Sequence, residues 1–433
     1  MIGSDLFVQA AVPEEDILPP PTLQYRGTKY TDDPRFKDLQ AAFPAVWRRA
    51  WIRVREALGL RYQDYGPGHI TLRLEDLPRR SKGADFASTG GRRGRQDIML
   101  RAEHLLNGYS PFEEVLTHEL THAVLRHSLG NVHDRLPSWT RESLAMWVAG
   151  QGPSMTGWIL GRALETENPL VQRNGPIVNG LAGHRHTGTD LVEDVLTIEF
   201  LHQTLGQEKF GRWIHALVEG TEAEPAVEQL TGMGWEDFCQ KARRYVEDRL
   251  QEDLKNVHAP FRRAHQAVQE KRYEEAAGQF REITKNHPTH WAAAWCLLYE
   301  SQCWFHLQKW EEALRCFKEL NLSPHLTVLL FQIPGLKVKL MHTYEKLGKR
   351  EEALAERERF LKDHADVPLK NDPSPPRTIS LIKRTISLDG GWGRRYHRMD
   401  ALAQRLALVQ LHPLSDGQNH FTPKHGSWLN LIE

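Results

Sequence analysis

Two histidines and a glutamate within one short segment, His118, Glu119 and His122, have the types and the spacing of a metal-dependent hydrolytic site. On an α-helix, residues four positions apart lie on the same face, so both imidazoles can reach one metal ion at about 2.0–2.1 Å. Glu119 is offset by one position, which suits a carboxylate that contacts a metal-activated water. The spacing predicts a zinc site in which Glu119 acts as the general base.

The helix that must carry this motif has recognisable ends in the sequence. Ser110 is a good N-cap, and Glu113 completes a capping box with it. Pro111 suits the first helical position, and Gly130 marks the end of the helix. The helix is apolar on nearly all sides, which predicts burial. Two histidines and a glutamate on a buried helix are costly unless a partner such as a metal ion satisfies them.

Glu142 is the predicted third ligand, because it follows His122 with 19 residues between them and opens a second helical segment. Two histidines and one glutamate leave the fourth tetrahedral position open, as in catalytic zinc sites. Asp134, in the loop after the first helix, is the alternative third ligand. A metzincin site is excluded, because Leu125 and Ser128 stand where that pattern needs glycine and histidine.

Residues from about 95 to 250 resemble the gluzincin metallopeptidases, in particular the small peptidase MA-like domains of bacteria. The resemblance is carried by residues 97–100, 116–122 and 136–145. The last run is similar to the family's P-x-W-x-x-E-G-x-A pattern, with Ser143 in place of the usual glycine. The resemblance implies an α+β, zincin-like domain with a small mixed sheet and an active-site helix. It also implies Zn²⁺ as the cofactor, with the ligands His118, His122 and Glu142.

The same resemblance implies two further features of the site. An edge strand would hold a peptide or protein substrate in extended form, and residues 97–101 are the candidate. In many relatives a tyrosine or histidine stabilises the tetrahedral intermediate, but the helix that often carries the tyrosine has Val192 or its neighbours here. The candidate substitutes are His184, His186 and Arg141.

Hydrophobic periodicity predicts the elements around the motif. Helical patterns cover residues 35–58 and stretches near 190–205, 207–219 and 234–250. Strand-like runs cover residues 70–77 and 97–101, and a segment rich in Gly, Ser and Arg, 81–96, is predicted as a loop. The proline-rich residues 1–25 are predicted as an extended lead-in to a metallopeptidase-like domain over residues 26–255.

Residues 258–366 show weak internal repetition. Three similar segments begin at Lys271, Gln308 and Gly348, with spacings of 37 and 40 residues, and each is flanked by amphipathic helical patterns. This arrangement resembles tetratricopeptide-type helix pairs, whose repeat is about 34 residues. An unrelated helical bundle is the alternative. Such helix stacks form concave surfaces, so a protein partner or the substrate is the expected ligand.

The end of the chain, residues 367–433, is predicted as a proline-rich linker and a disordered tail. Residues 420–433 resemble the segment around the last catalytic acid of DDE insertion-sequence transposases, and Glu433 matches that acid. No partner acids of such a site are recognisable in the rest of the chain. Our hypothesis is that the reading frame runs into an inserted element, which would leave this tail without a function.

Composition limits the class of protein. The chain has 433 residues, which is enough for about three domains. Lys and Arg together number 56, as do Asp and Glu, so the neutral net charge argues against a nucleic-acid partner. No apolar run approaches the roughly 18 residues of a membrane-spanning helix, and no signal peptide is recognisable, so a cytoplasmic location is expected. The four cysteines are expected to be reduced thiols.

The function predicted from these patterns is zinc-dependent hydrolysis of peptide bonds, with helical repeats that bind a protein partner or the substrate. The alternative is a zincin-like scaffold with little or no turnover, which acts through the repeats. Retention of Glu119 argues for the enzyme, because a scaffold has no need of a general base. The unmatched tyrosine argues for the scaffold.

Overall fold

The computed structural model describes residues 17–59, 69–76, 87–92, 95–129, 136, 138–152, 188–326, 328–329 and 333–364. Over these residues the chain is mostly helical and contains one small mixed sheet, so the α+β class is confirmed at this coarse level. The strands of the sheet are β1 (Leu23–Arg26), β2 (His69–Glu75), β3 (Ala87–Arg92) and β4 (Arg95–Arg101).

The helices follow in two groups along the chain. The first group comprises α1 (Pro34–Leu58), α2 (Ala102–Leu106), α3 (Phe112–Leu129), α4 (Ser138–Ala149), α5 (Gly188–Val218), α6 (Ala223–Thr231) and α7 (Trp235–Lys255). The second group, which we call the repeat helices, comprises α8 (His258–Gln269), α9 (Tyr273–Asn286), α10 (Ala292–His306), α11 (Trp310–Asn321), α12 (Ile333–Lys346) and α13 (Arg350–His364).

The sheet has the strand order β1–β2–β4–β3, with β1, β2 and β4 parallel to one another and β3 antiparallel to β4. Side chains alternate between the two faces of a strand, so Leu72 and Leu74 of β2 share one face. They pair in register with Ile98 and Leu100 of β4, and all four side chains are buried. These residues form one hydrophobic core with apolar residues of α1 and α3.

The structure corrects two predictions about the sheet. Residues 97–101 were expected to form its edge, but β4 lies between β2 and β3, and β3 is the edge strand that contacts α3. The strand β3 lies within residues 81–96 and β4 begins at Arg95, so the prediction of a loop is wrong for residues 87–92 and 95–96. Gly90 and Gly91 give this segment little intrinsic strand preference. Its pairing with β4, from Ala87 opposite Leu100 to Arg92 opposite Arg95, is a tertiary effect.

The helical predictions agree with the structure. Residues 35–58 form α1, whose N-cap Asp33 accepts a hydrogen bond from the Arg35 backbone N–H and whose C-cap Gly59 is left-handed at φ 63°. The two helices predicted near 190–205 and 207–219 are the two halves of α5. They meet at Gly206, whose φ of 69° and ψ of 164° interrupt the helical backbone.

The internal repetition seen in the sequence recurs in the backbone of the repeat helices. Lys271, Gln308 and Gly348 occupy equivalent turns and all have positive φ, at 60°, 58° and 70°. At each turn this residue's N–H donates to the carbonyl three residues earlier, and the next N–H donates to the carbonyl five residues earlier. A new helix begins two residues after each turn. The repeating unit is therefore a helix, a left-handed turn and a second helix.

The last repeat helix contacts the beginning of the described chain. The buried Tyr30 hydroxyl donates to Asp363 Oδ1 at 2.9 Å, and Asn107 Nδ2 donates to Asp363 Oδ2 at 2.7 Å. Lys362 Nζ donates to Asp33 Oδ2 at 2.8 Å. We call these three contacts the clasp. They fix α13 against the segments that precede α1 and α3.

Two further predictions can be compared with the described part of the chain. Cys239, Cys296, Cys303 and Cys316 are free thiols, as expected. Within the described ranges, no helix combines the length and the apolar character that crossing a bilayer requires. The predicted linker and tail after residue 366 lie outside these ranges, and the segment of Glu433 with them.

Candidate metal centre

The two histidines of the motif lie on one face of α3, as the helical spacing predicts. Their Nε2 atoms are 3.1 Å apart, and the ring centroids are 4.8 Å apart. Both side chains are buried, with His118 1% and His122 4% exposed. Two imidazole lone pairs aimed at each other repel unless a proton or a cation lies between them. The arrangement therefore suits a cation held between the two rings.

Glu142 brings a carboxylate to the same point from α4, which packs against α3. Its Oε2 lies 3.3 Å from His122 Nε2 and 3.8 Å from His118 Nε2. Ligands of a tetrahedral zinc ion at 2.0–2.1 Å lie about 3.3 Å from one another. The three separations of 3.1, 3.3 and 3.8 Å are close to this value. The buried group His118, His122 and Glu142 can therefore hold a metal ion.

Polar atoms without hydrogen bonds support the fit of a metal ion. Glu142 Oε2 and Glu119 Oε1 are buried and have no hydrogen-bond partner of acceptable geometry among the described residues. Leaving such oxygens unsatisfied costs free energy in a folded protein. Coordination would satisfy Glu142 Oε2, and a water at the centre would satisfy Glu119 Oε1.

The protonation states also suit metal binding. Burial and the nearby His122 lower the pKa of His118 to about 3, so its ring stays neutral at physiological pH. Burial by itself would raise the pKa of Glu142, but the interaction with His122 and the charge of Arg141 outweigh it and lower that pKa. Neutral imidazoles and an ionised carboxylate are the forms that bind metal ions.

Glu119 lies beside the group of ligands without joining it. Its carboxylate is 1% exposed, and Oε2 accepts a hydrogen bond from Thr89 Oγ1 at 2.7 Å. Burial raises the pKa of Glu119 to about 7, although His122 and the Thr89 hydrogen bond oppose this change. A carboxyl group with a pKa near neutrality can both accept and donate a proton, which is the behaviour of a general base that later acts as an acid.

Sequence reasoning missed two residues that contact the centre. Thr89 lies on β3, in the segment predicted as a loop, so no local signal pointed to it. Gln151 Oε1 lies 2.8 Å from His118 Nδ1, just beyond the end of α4. Gly150 does mark a helix end in the sequence, but the contact itself depends on how α4 packs against α3.

The remaining residues that the sequence singled out differ in where they lie relative to the centre. Arg141 Nε lies 3.3 Å from Glu142 Oε1, so this side chain contacts a predicted ligand. Val192 is 3% exposed and belongs to the core of the repeat helices, where it offers no hydrogen-bond donor to the centre. Asp134, His184 and His186 lie outside the described residues.

Comparisons of the chain with models of protein families, with curated proteins and with solved structures find no match. The resemblances to gluzincins and to tetratricopeptide repeats therefore stay predictions from the sequence. The positions of the three ligand atoms and their burial support a metal centre at this point.

Proposed function

We propose that this protein is a zinc-dependent peptidase of the gluzincin type with a zincin-like fold. The observation that carries the proposal is the convergence of His118 Nε2, His122 Nε2 and Glu142 Oε2, with separations of 3.1–3.8 Å. Two histidines and one glutamate with an open fourth position favour zinc among divalent metals. Zinc held there would supply Lewis-acid chemistry and lower the pKa of a coordinated water.

Residues of the chain bind the metal ion and transfer the protons of the reaction. The three ligands hold the ion, and burial of all three keeps bulk water away from it. Glu119 Oε1 accepts a proton from the attacking water while Oε2 stays bonded to Thr89. Glu119 then donates that proton to the amine that leaves when the peptide bond breaks. The raised pKa makes Glu119 a stronger base in the first proton transfer than an exposed glutamate would be.

The repeat helices are proposed to bind a protein partner or the substrate. Support comes from the recurring turns at Lys271, Gln308 and Gly348, which give successive helix pairs the same local geometry. Stacked helix pairs form extended binding surfaces. The tetratricopeptide resemblance belongs to this proposal.

The second candidate function is a scaffold with the same fold and little turnover. It is favoured by the unmatched tyrosine, because the helix that often carries it in gluzincins has Val192 or its neighbours here, and a valine side chain offers no donor for a tetrahedral intermediate. Arg141 is the remaining described candidate for that role, and its guanidinium already contacts Glu142.

The two functions are separated by the variant Glu119→Gln, tested on fluorescent casein with zinc measured in parallel. We expect zinc to stay bound and hydrolysis to fall by about 10²–10⁴-fold, which is the usual contribution of a general base. Glu113→Gln is the matched control, because Glu113 is on the same helix but forms a surface ion pair with Arg49 at 2.7 Å. Equal hydrolysis by Glu119→Gln and wild type would overturn the peptidase mechanism. A zinc-loaded wild type without any hydrolysis would favour the scaffold.

A further inference from the structure

Gln151 is held in a fixed position at the end of α4. Gly150 has a φ of 74° and donates its N–H to Trp147 O, and the Gln151 N–H donates to Met146 O at 3.0 Å. Glycine is favoured at residue 150 because its positive φ is a backbone conformation that other residues rarely adopt. This turn ends the helix and leaves the Gln151 side chain buried, at 3% exposure.

The same helix thus contributes twice to the centre. Glu142, in its second turn, supplies a ligand oxygen, and Gln151, just after its last turn, reaches the other side of the His118 ring. The Gln151 amide oxygen Oε1 lies 2.8 Å from His118 Nδ1. An amide oxygen can only accept a hydrogen bond, so this contact requires a proton on Nδ1.

The tautomer of His118 decides whether it can bind a metal. A neutral imidazole carries one proton, so a proton on Nδ1 leaves Nε2 with a free lone pair. That Nε2 is the atom that faces His122 Nε2 at 3.1 Å and Glu142 Oε2 at 3.8 Å. The opposite tautomer would place a proton in the centre and exclude a cation from His118.

We propose that Gln151 is a positioning residue of the metal centre, because its amide oxygen holds His118 as the Nδ1–H tautomer and aims Nε2 at the metal. This inference deepens the proposed function and depends on the metal site. Hydrogen-bond partners of metal-binding histidines typically change metal affinity by about 10–100-fold when they are removed. A neutral amide does this without adding a second buried charge beside Glu142.

The test is the zinc dissociation constant, measured by competition with a chromogenic chelator, so it does not depend on a substrate. Gln151→Leu removes the acceptor, and we expect the dissociation constant to rise by about 10–100-fold. Gln151→Glu keeps an acceptor oxygen at the same distance, and its affinity should stay within about threefold of wild type or become tighter. Thr121→Val is the matched control, because Thr121 is buried on α3 and its hydroxyl donates to Thr117 O. Its affinity should equal that of wild type.

A spectroscopic measurement tests the tautomer directly. In metal-free protein labelled with ¹⁵N-histidine, long-range ¹H–¹⁵N correlations should show His118 with its proton on Nδ1 in wild type and in Gln151→Glu. Gln151→Leu should lose this preference. This measurement tests the inference even if a variant folds poorly, because the spectrum of the wild-type protein alone reports the tautomer of His118.

Several outcomes would overturn the inference. They are an unchanged zinc affinity in Gln151→Leu, an equal loss in Gln151→Leu and Gln151→Glu, and a proton on Nε2 of His118 in the metal-free wild type. Failure of the proposed function is a separate result. It would show as a wild-type protein that binds no zinc, while His118 still has the Nδ1–H tautomer.

Discussion

Thr89 and Glu119 join the edge strand of the sheet to the helix that carries the motif. The Thr89 hydroxyl lies 2.7 Å from Glu119 Oε2 and 3.0 Å from the Glu119 main-chain oxygen. Arg126, one turn after His122 on α3, donates from Nη1 to the Thr89 carbonyl at 2.6 Å. These contacts fix one carboxylate oxygen of Glu119 and leave Oε1 without a hydrogen-bond partner in the described structure.

Replacement of Thr89 by valine should weaken catalysis without removing the metal. The substitution keeps the shape of the side chain but loses its hydroxyl, so Glu119 loses the contact that orients it. We expect kcat to fall by about tenfold, which corresponds to one hydrogen bond to a charged group. The zinc dissociation constant should not change. Thr89→Ser keeps the hydroxyl and should retain most of the activity, and equal kcat values for Thr89→Val and wild type would refute this role.

The half-buried carboxyl group of Glu114 on α3 predicts how the stability of the protein depends on pH. Burial raises the pKa of Glu114 to about 7, against the opposing charge of Arg53, whereas an unfolded glutamate titrates near about 4.3. Between these values the folded state holds a proton that the unfolded state lacks, so stability falls as pH rises.

Glu114→Gln cannot titrate at this position. Urea unfolding should therefore show that its stability relative to wild type increases between about pH 5 and about pH 8. Glu208→Gln is the control, because Glu208 pairs with Arg212 at the surface of another helix. A constant difference between Glu114→Gln and wild type over this range would contradict the prediction.

The clasp predicts that the Tyr30 hydroxyl, far along the chain from its partner Asp363, contributes to the free energy of unfolding. Tyr30 and Asp363 are both 1% exposed, and their hydrogen bond joins residues near the two ends of the described chain. Tyr30→Phe should reduce the free energy of unfolding by about 1.5–3 kcal/mol, because the carboxylate loses a buried donor. Tyr273→Phe, on a half-buried ring that stacks on His306, should cost less than about 0.5 kcal/mol. If both variants lower the free energy of unfolding by the same small amount, the Tyr30–Asp363 hydrogen bond does not stabilise the fold.

Two truncated chains distinguish the contribution of the clasp to stability from that of the tail after residue 366. A chain that ends at residue 370 keeps α13 and Asp363, so it should retain the thermal stability and the zinc affinity of the full chain. A chain that ends at residue 349 loses α13 and should melt at a lower temperature. Loss of folding or zinc binding in the longer truncation would show that the tail matters.

The local part of the site could be predicted from the sequence, and the remainder could not. Helical periodicity alone places His118 and His122 together, and a second helix with Glu142 was recognisable from its own pattern. Thr89 and Gln151 approach the centre only because β3 and the end of α4 pack against α3. Contacts of this kind leave no signal in the spacing of residues along the chain.

The fold shows the same division between local and distant interactions. The turns at Lys271 and Gln308 were visible as repeated sequence, because each turn is built from hydrogen bonds within six residues. The edge strand was misplaced, because the order of strands in a sheet depends on pairing between distant segments. The hairpin partner of β4 has two glycines in its second half, a composition more typical of a loop than of a strand.

The metal content of the purified protein is the sharpest test of the proposed zinc centre. Wild-type protein purified without chelators, with zinc then supplied and excess removed, should contain about one zinc ion per chain by elemental analysis. His118→Ala should lose most of it, since one of three protein ligands is gone, while Thr121→Val should keep it. A wild-type protein that folds normally and binds no metal, or a His118→Ala variant that binds zinc as tightly as wild type, would contradict the assignment of the centre.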